Sequence, residues 1–152
     1  MNLSSGTATG EGTDALSTVE NATGSGFDDN LTGGADANEL RGGNGADTIA
    51  GGGGGDTLKG GSGVDSINGQ ADADVVAGGA DGDNVKGGDG NDTVKGGGGA
   101  DTAGGGGGND DVLGGNGNDK LTGGAGNDQI KGGSGKDNCN GGSGNDSISG
   151  CE

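Results

Sequence analysis

A chain of 152 residues is long enough for one domain, but with 24% apolar and 1% aromatic residues it cannot build a conventional globular core. Forty-seven glycines without a single proline exclude collagen, which needs a three-residue glycine period together with abundant proline. The net charge of −17, from 24 acidic and 7 basic residues, repels phosphate backbones and anionic lipid, and it favours disorder unless a cationic ligand neutralises the carboxylates.

No apolar run approaches the ~18 residues of a membrane span and no charged-then-apolar leader is visible, so neither membrane insertion nor an intact signal peptide is expected, and nucleic acid is a poor partner. In chain order, residues 1 to 14 are expected to fray. Residues 15 to 23, where Val19, Glu20 and Asn21 lead into Gly24, read as a degenerate entry turn. Phe27 is the only aromatic residue, and it either covers the open N-terminal end of the core or is an ordinary, partly exposed side chain.

From Gly24 to Ser149 the chain divides into fourteen consecutive nonapeptides without an insertion. Clear examples are GGNGADTIA at 42, GGDGNDTVK at 87, GGNGNDKLT at 114 and GGSGNDSIS at 141. Position one is Gly in all fourteen, position two in twelve and position four in ten, while position six is Asp in thirteen. Position eight is always apolar: Leu31, Leu40, Ile49, Leu58, Ile67, Val76, Val85, Val94, Ala103, Val112, Leu121, Ile130, Cys139 and Ile148. A flexible linker has no reason to hold five columns in register.

Positions seven to nine alternate polar, apolar, polar, the period of a three-residue strand with one buried face. Positions one to six are glycine-rich and supply the tight turn that reverses the chain. Two repeats then close one coil of eighteen residues, and seven coils at about 4.8 Å spacing form an all-β, flattened rod of roughly 34 Å. Small apolar side chains at one position in nine cannot by themselves offset the entropy of ordering so much glycine.

Stacking places the position-six side chains in two files. One contains Asp29, Asp47, Asp65, Asp83, Asp101, Asp119 and Asp137; the other contains Asn38, Asp56, Asp74, Asp92, Asp110, Asp128 and Asp146. Within a file these carboxylates repel one another unless cations lie between them. Calcium suits the gaps because it is a hard ion taking six to eight oxygens, and glycine turns expose carbonyls beside each carboxylate. Magnesium demands tighter octahedral geometry, and zinc prefers His or thiolate, whereas the chain has no His. Six gaps per file allow about twelve ions at most, which would carry the net charge from −17 to about +7, so partial filling is expected near the irregular repeats. The irregular positions are Asn38 at position six, Gln70 at position two, and Asp36, Asp72 and Asp81 at position four, which are either accommodated in left-handed backbone or add a ligand.

These columns resemble G-G-x-G-x-D-x-U-x, the consensus of the RTX, or hemolysin-type calcium-binding, family, over residues 24 to 149. The resemblance implies a right-handed parallel β-roll (a β-solenoid) with calcium held between turns of adjacent coils. It also implies that each ion takes the carbonyls of positions two and four and the Asp of one turn, plus the carbonyls of positions one and three and the Asp of the next. Carried onto this chain, one ion would be held by Gly43, Gly45 and Asp47 below and by Gly60, Ser62 and Asp65 above. Another would join Gly115, Gly117 and Asp119 to Gly132, Ser134 and Asp137. The same pattern makes carbonyl donors of Gly52, Gly54, Gly61, Gly63, Gly88, Gly90, Gly97, Gly99, Gly106, Gly108, Gly124, Gly126, Gly133 and Gly135. The first repeat departs from it, with Ser25 at position two and Phe27 at position four.

Residues 150 to 152 read as a C-terminal cap. Cys139 falls at a core position and Cys151 follows the last repeat, so a disulfide folding the tail across the last coil is expected, worth about 3 kcal/mol by loop closure. The alternative is a buried free thiol. A disulfide also suits an extracellular, secreted location.

Catalytic constellations are missing: the chain has no His, Tyr or Trp, and its G-x-G-x-x-G matches precede short strands, not helices. The expected function is calcium-dependent folding of a secreted structural or interaction module, its protein or surface partner unknown. The alternatives are a surface-binding rod of the adhesin, ice-binding or polysaccharide-binding kind, and the calcium-binding portion of a larger exported enzyme or toxin. Against ice, position three is never Thr, and Asn occurs at position five only at Asn91, Asn109, Asn118, Asn127 and Asn145.

Overall fold

The computed structural model describes residues 21–152, so the fraying expected of residues 1 to 14 and most of the entry turn at 15 to 23 lie outside the described residues. The described chain forms fifteen strands: β1 (Asn21–Thr23), β2 (Asn30–Thr32), β3 (Glu39–Asn44), β4 (Thr48–Gly52), β5 (Thr57–Ser62), β6 (Ser66–Ala71), β7 (Val75–Ala80), β8 (Asn84–Asp89), β9 (Thr93–Gly98), β10 (Thr102–Gly107), β11 (Asp111–Asn116), β12 (Lys120–Ala125), β13 (Gln129–Ser134), β14 (Asn138–Ser143) and β15 (Ser147–Ser149). Successive strands alternate between two parallel sheets, β1-β3-β5-β7-β9-β11-β13-β15 and β14-β12-β10-β8-β6-β4-β2. The register is eighteen residues throughout, as in Leu58 beside Val76 and Ile67 beside Val85, which makes the molecule a β-solenoid of about seven coils.

Eleven of the fifteen strands run for six residues, twice the three expected from the x-U-x pattern. In β5, Leu58 points inward, Lys59 outward and Gly60 inward again, so the alternation continues into the next repeat. Glycine at position one has no side chain to display that alternation, so the pattern of apolar residues showed only half of each strand.

The core is two files of position-eight side chains, one per sheet. Twelve of the fourteen expected residues are buried, and Ala22 in β1 extends one file towards the N-terminus by pairing with Leu40. The exceptions are at the C-terminal end, where no further coil covers them: Cys139 is only partly buried and Ile148 is 46% exposed. Phe27 is 58% exposed in a turn, the ordinary surface position rather than a lid on the core.

Two of the three position-four aspartates take the left-handed backbone expected of them, and Asp36 does not. Asp72 and Asp81 adopt φ of 72° and 73°, and their Oδ2 atoms accept the N–H of Gly54 (3.0 Å) and Gly63 (3.2 Å) one coil earlier. Gln70 also takes a positive φ, 87°. Cys139 and Cys151 form the expected disulfide, with Cα atoms 5.9 Å apart.

Candidate metal centre

Each interior position-six aspartate sits at the junction of turn and strand, and its two carboxylate oxygens have different fates. Oδ1 accepts the backbone N–H of the residue eighteen positions earlier: Asp29 to Asp47 at 2.8 Å, Asn38 to Asp56 at 2.7 Å, and so on to Asp128 and Asp146 at 3.0 Å. The carboxylates thus form hydrogen-bonded ladders up both edges of the roll. Oδ2 is left over. In Asp47, Asp56, Asp65, Asp74, Asp83, Asp92, Asp101, Asp110, Asp119, Asp128 and Asp137 it is buried with no hydrogen-bond partner. Eleven orphaned anionic oxygens in so small a fold are far outside what a folded protein tolerates unless another ligand satisfies them.

Position one explains why glycine never varies there. A Cβ on Gly42 would fall on Asp47 Oδ2 and crowd the carbonyl oxygen of Gly60, and the same holds at Gly51 with Asp56 and Gly69, and at Gly114 with Asp119 and Gly132. The carboxylate oxygen of one coil and the position-one carbonyl of the next therefore converge on one small space. Position three contributes a carbonyl that is already engaged once: Ser62 accepts the N–H of Gly45, Asn116 that of Gly99 and Ser134 that of Gly117. A carbonyl has a second lone pair to offer. From the third repeat on, positions two and four take the left-handed backbone expected of them, with φ of +121° at Gly43 and +116° at Gly45, whereas Ser25, Phe27, Gly34 and Asp36 in the first two repeats do not.

Among the described residues no three Asp, Glu, Cys or His side chains converge on one point. Each gap instead combines carboxylates with backbone carbonyls, an all-oxygen set that fits calcium and lacks the nitrogen or sulfur that zinc favours.

Burial holds the carboxyls of Asp47, Asp56, Asp65, Asp92, Asp101 and Asp119 above the ordinary range, partly opposed by the backbone N–H bond each accepts. Asp74, Asp83 and Asp110 are pushed up to about 6 by burial, with neighbouring aspartates adding to the shift. Dehydrated carboxylates crowded in files favour either a proton or a metal ion.

The ends of the files differ. Asp29 Oδ2 accepts the N–H (2.6 Å) and hydroxyl (3.0 Å) of Ser25, so the irregular first repeat satisfies its own carboxylate. Asn38 Oδ1 accepts the N–H of Gly34 at 2.7 Å. Asp146 is half-buried. Two features escaped the sequence reading. One is the role of the position-one glycines, signalled by the one glycine column without an exception. The other is a second ladder at position five, where Asn91 Oδ1 accepts the N–H of Asn109, Asn109 that of Asn127 and Asn127 that of Asn145, tying the outer turns together in the opposite direction.

The family model of the RTX calcium-binding nonapeptide repeat matches in four copies, over residues 23–58, 51–85, 77–112 and 113–148. Comparison with curated proteins gives no match. Together the four copies span nearly all of the roll, and the chain belongs to the RTX calcium-binding nonapeptide repeat family, as a calcium-binding β-roll.

Proposed function

We propose that this roll is a calcium-triggered folding module: a disordered polyanion where calcium is scarce, as inside cells, and a rigid rod at extracellular calcium. The eleven buried, unpartnered Oδ2 atoms carry this reading. Bound between coils, calcium would supply the positive charge that lets both files remain ionised and dehydrated. In this reading residues 24 to 149 act as one cooperative unit. Its ligands are the interior aspartates, the glycine carbonyls at positions two and four, and the carbonyls at positions one and three. About twelve ions is the ceiling set by the gaps.

The module has no catalytic role of its own in this reading, and the disulfide suits secretion into an oxidising compartment. Circular dichroism during a calcium titration tests it. A rise in β signal between chelator and millimolar calcium is expected, and an unchanged spectrum up to about 10 mM refutes it.

One observation favours a second role for the folded rod. Arg41, Lys59, Lys95 and Lys131 are exposed at position nine of one sheet, putting four of the seven basic residues in a single outward file. Arg41 is paired with Glu39 on its own strand. An anionic polysaccharide is the partner that this file would meet once bound calcium offsets the net charge of −17, and loss of such binding in a triple Lys59→Ala, Lys95→Ala, Lys131→Ala variant is the check.

A further inference from the structure

Among the described residues Asp137 is the last aspartate of its file, yet it is 2% exposed and its Oδ2 has no partner. Asp146, equally terminal in the other file, is only half-buried. The tail makes the difference through three contacts. Cys151 is bonded to Cys139 in β14, and the N–H of Glu152 donates to the carbonyl of Asp137 at 2.9 Å. Third, a Cβ on Gly132 would collide with both Gly150 O and Asp137 Oδ2.

At interior levels the oxygen meeting that point is the position-one carbonyl of the following coil: Gly60 over Gly42, Gly114 over Gly96, Gly132 over Gly114. Gly150 lies eighteen residues after Gly132, so its carbonyl stands where a further coil would have placed one. The disulfide fixes the neighbouring residue, and with it that carbonyl.

We propose that the disulfide-pinned tail builds a terminal calcium site on Asp137, additional to the gaps between complete coils. Asp137 Oδ2 and the Gly150 carbonyl are its defining donors, with the carbonyls of Gly133 and Gly135 from the same turn and water completing the shell. The proposal rests on the calcium reading above and adds a redox dependence to it: opening the disulfide releases the Gly150 carbonyl and removes one ion without touching the interior gaps.

The test is native mass spectrometry of the full chain in calcium, with amide hydrogen exchange of β14 and β15 measured in parallel. The forms compared are the oxidised chain, the reduced chain and Cys151→Ser, which leaves the core position Cys139 in place. The expected result is one ion fewer in the reduced chain and in Cys151→Ser, with faster exchange limited to the last coil. In Asp137→Asn the ion count should no longer respond to reductant. Equal counts in oxidised and reduced chains overturn the proposal. So does the loss of two or more ions on reduction, which would make the disulfide a clamp on the coil rather than part of a site, and so does an Asp137→Asn chain that still loses an ion. If no form retains calcium, the broader calcium reading falls with it.

Discussion

Asp83→Asn separates the two opposing effects of a buried carboxylate. Asp83 is 3% exposed, its Oδ1 accepts the N–H of Asp65 at 2.9 Å, and its Oδ2 has no partner. Burial, with Asp65, Asp101 and Asp81 nearby, pushes its carboxyl to about 6 from an ordinary 3.8. Ionising it within the metal-free roll at pH 7 therefore costs on the order of 3 kcal/mol. Asparagine keeps the Oδ1 acceptor and the shape while removing that cost, so the metal-free variant should be the more stable of the two.

With calcium the sign reverses. Asp83 faces the gap to Asp65 on one side and the gap to Asp101 on the other, and a neutral amide weakens both. An increase of about tenfold in the calcium midpoint corresponds to roughly 1.4 kcal/mol, modest for losing a full charge at partly dehydrated sites. The assay is far-UV circular dichroism of both proteins at pH 7, titrated with calcium in one series and with a protecting osmolyte in chelator in the other. The variant should need more calcium but less osmolyte. Shifts in the same direction, or an unchanged calcium midpoint, would refute the argument that these carboxylates are held for metal at the expense of the metal-free fold.

Acidification should act like a weak substitute for calcium. The raised carboxyls of Asp74, Asp83 and Asp110, near 6 in the fold, bind protons more tightly there than in the unfolded chain. Stability from this source is complete below the ordinary value near 3.8 and is lost as pH rises through about 6. In chelator the β signal should therefore grow from pH 7 to pH 4 while calcium affinity falls over the same interval; a metal-free spectrum that does not change with pH counts against it. Gly42→Ala places a methyl group on Asp47 Oδ2 and the Gly60 carbonyl and should remove at least one bound ion in native mass spectrometry. Gly98→Ala, whose Cβ meets nothing within 4 Å, should bind the wild-type number. Leu58→Ala empties a fully buried place between Leu40 and Val76 and should cost about 2–4 kcal/mol, seen as a lower melting temperature in saturating calcium with no change in ion count.

Much of this was legible because a stacked repeat makes local pattern and long-range contact the same thing: a residue's neighbour in space is its counterpart eighteen positions along. The Asp29 and Asn38 files and the inward column from Leu31 to Ile130 follow from counting alone, whereas the pairing of Cys139 with Cys151 is expected against the alternative of a free thiol and is decided by the fold. The length of the strands did not, because Gly60 and its equivalents have no side chain to mark which way they face. Nor did the exposure of Ile148, which depends on whether another coil lies above it and not on its type.

The order of residues by itself determined the period and the two files of carboxylates, since each is a consequence of composition repeated at constant spacing. Only the tertiary structure divided each carboxylate into a bonded Oδ1 and an orphaned Oδ2, set the position-one carbonyl beside the latter, and brought Gly150 over Asp137. Those are differences of direction between atoms of one residue and its neighbours in the next coil, and they are settled only when the backbone closes on itself.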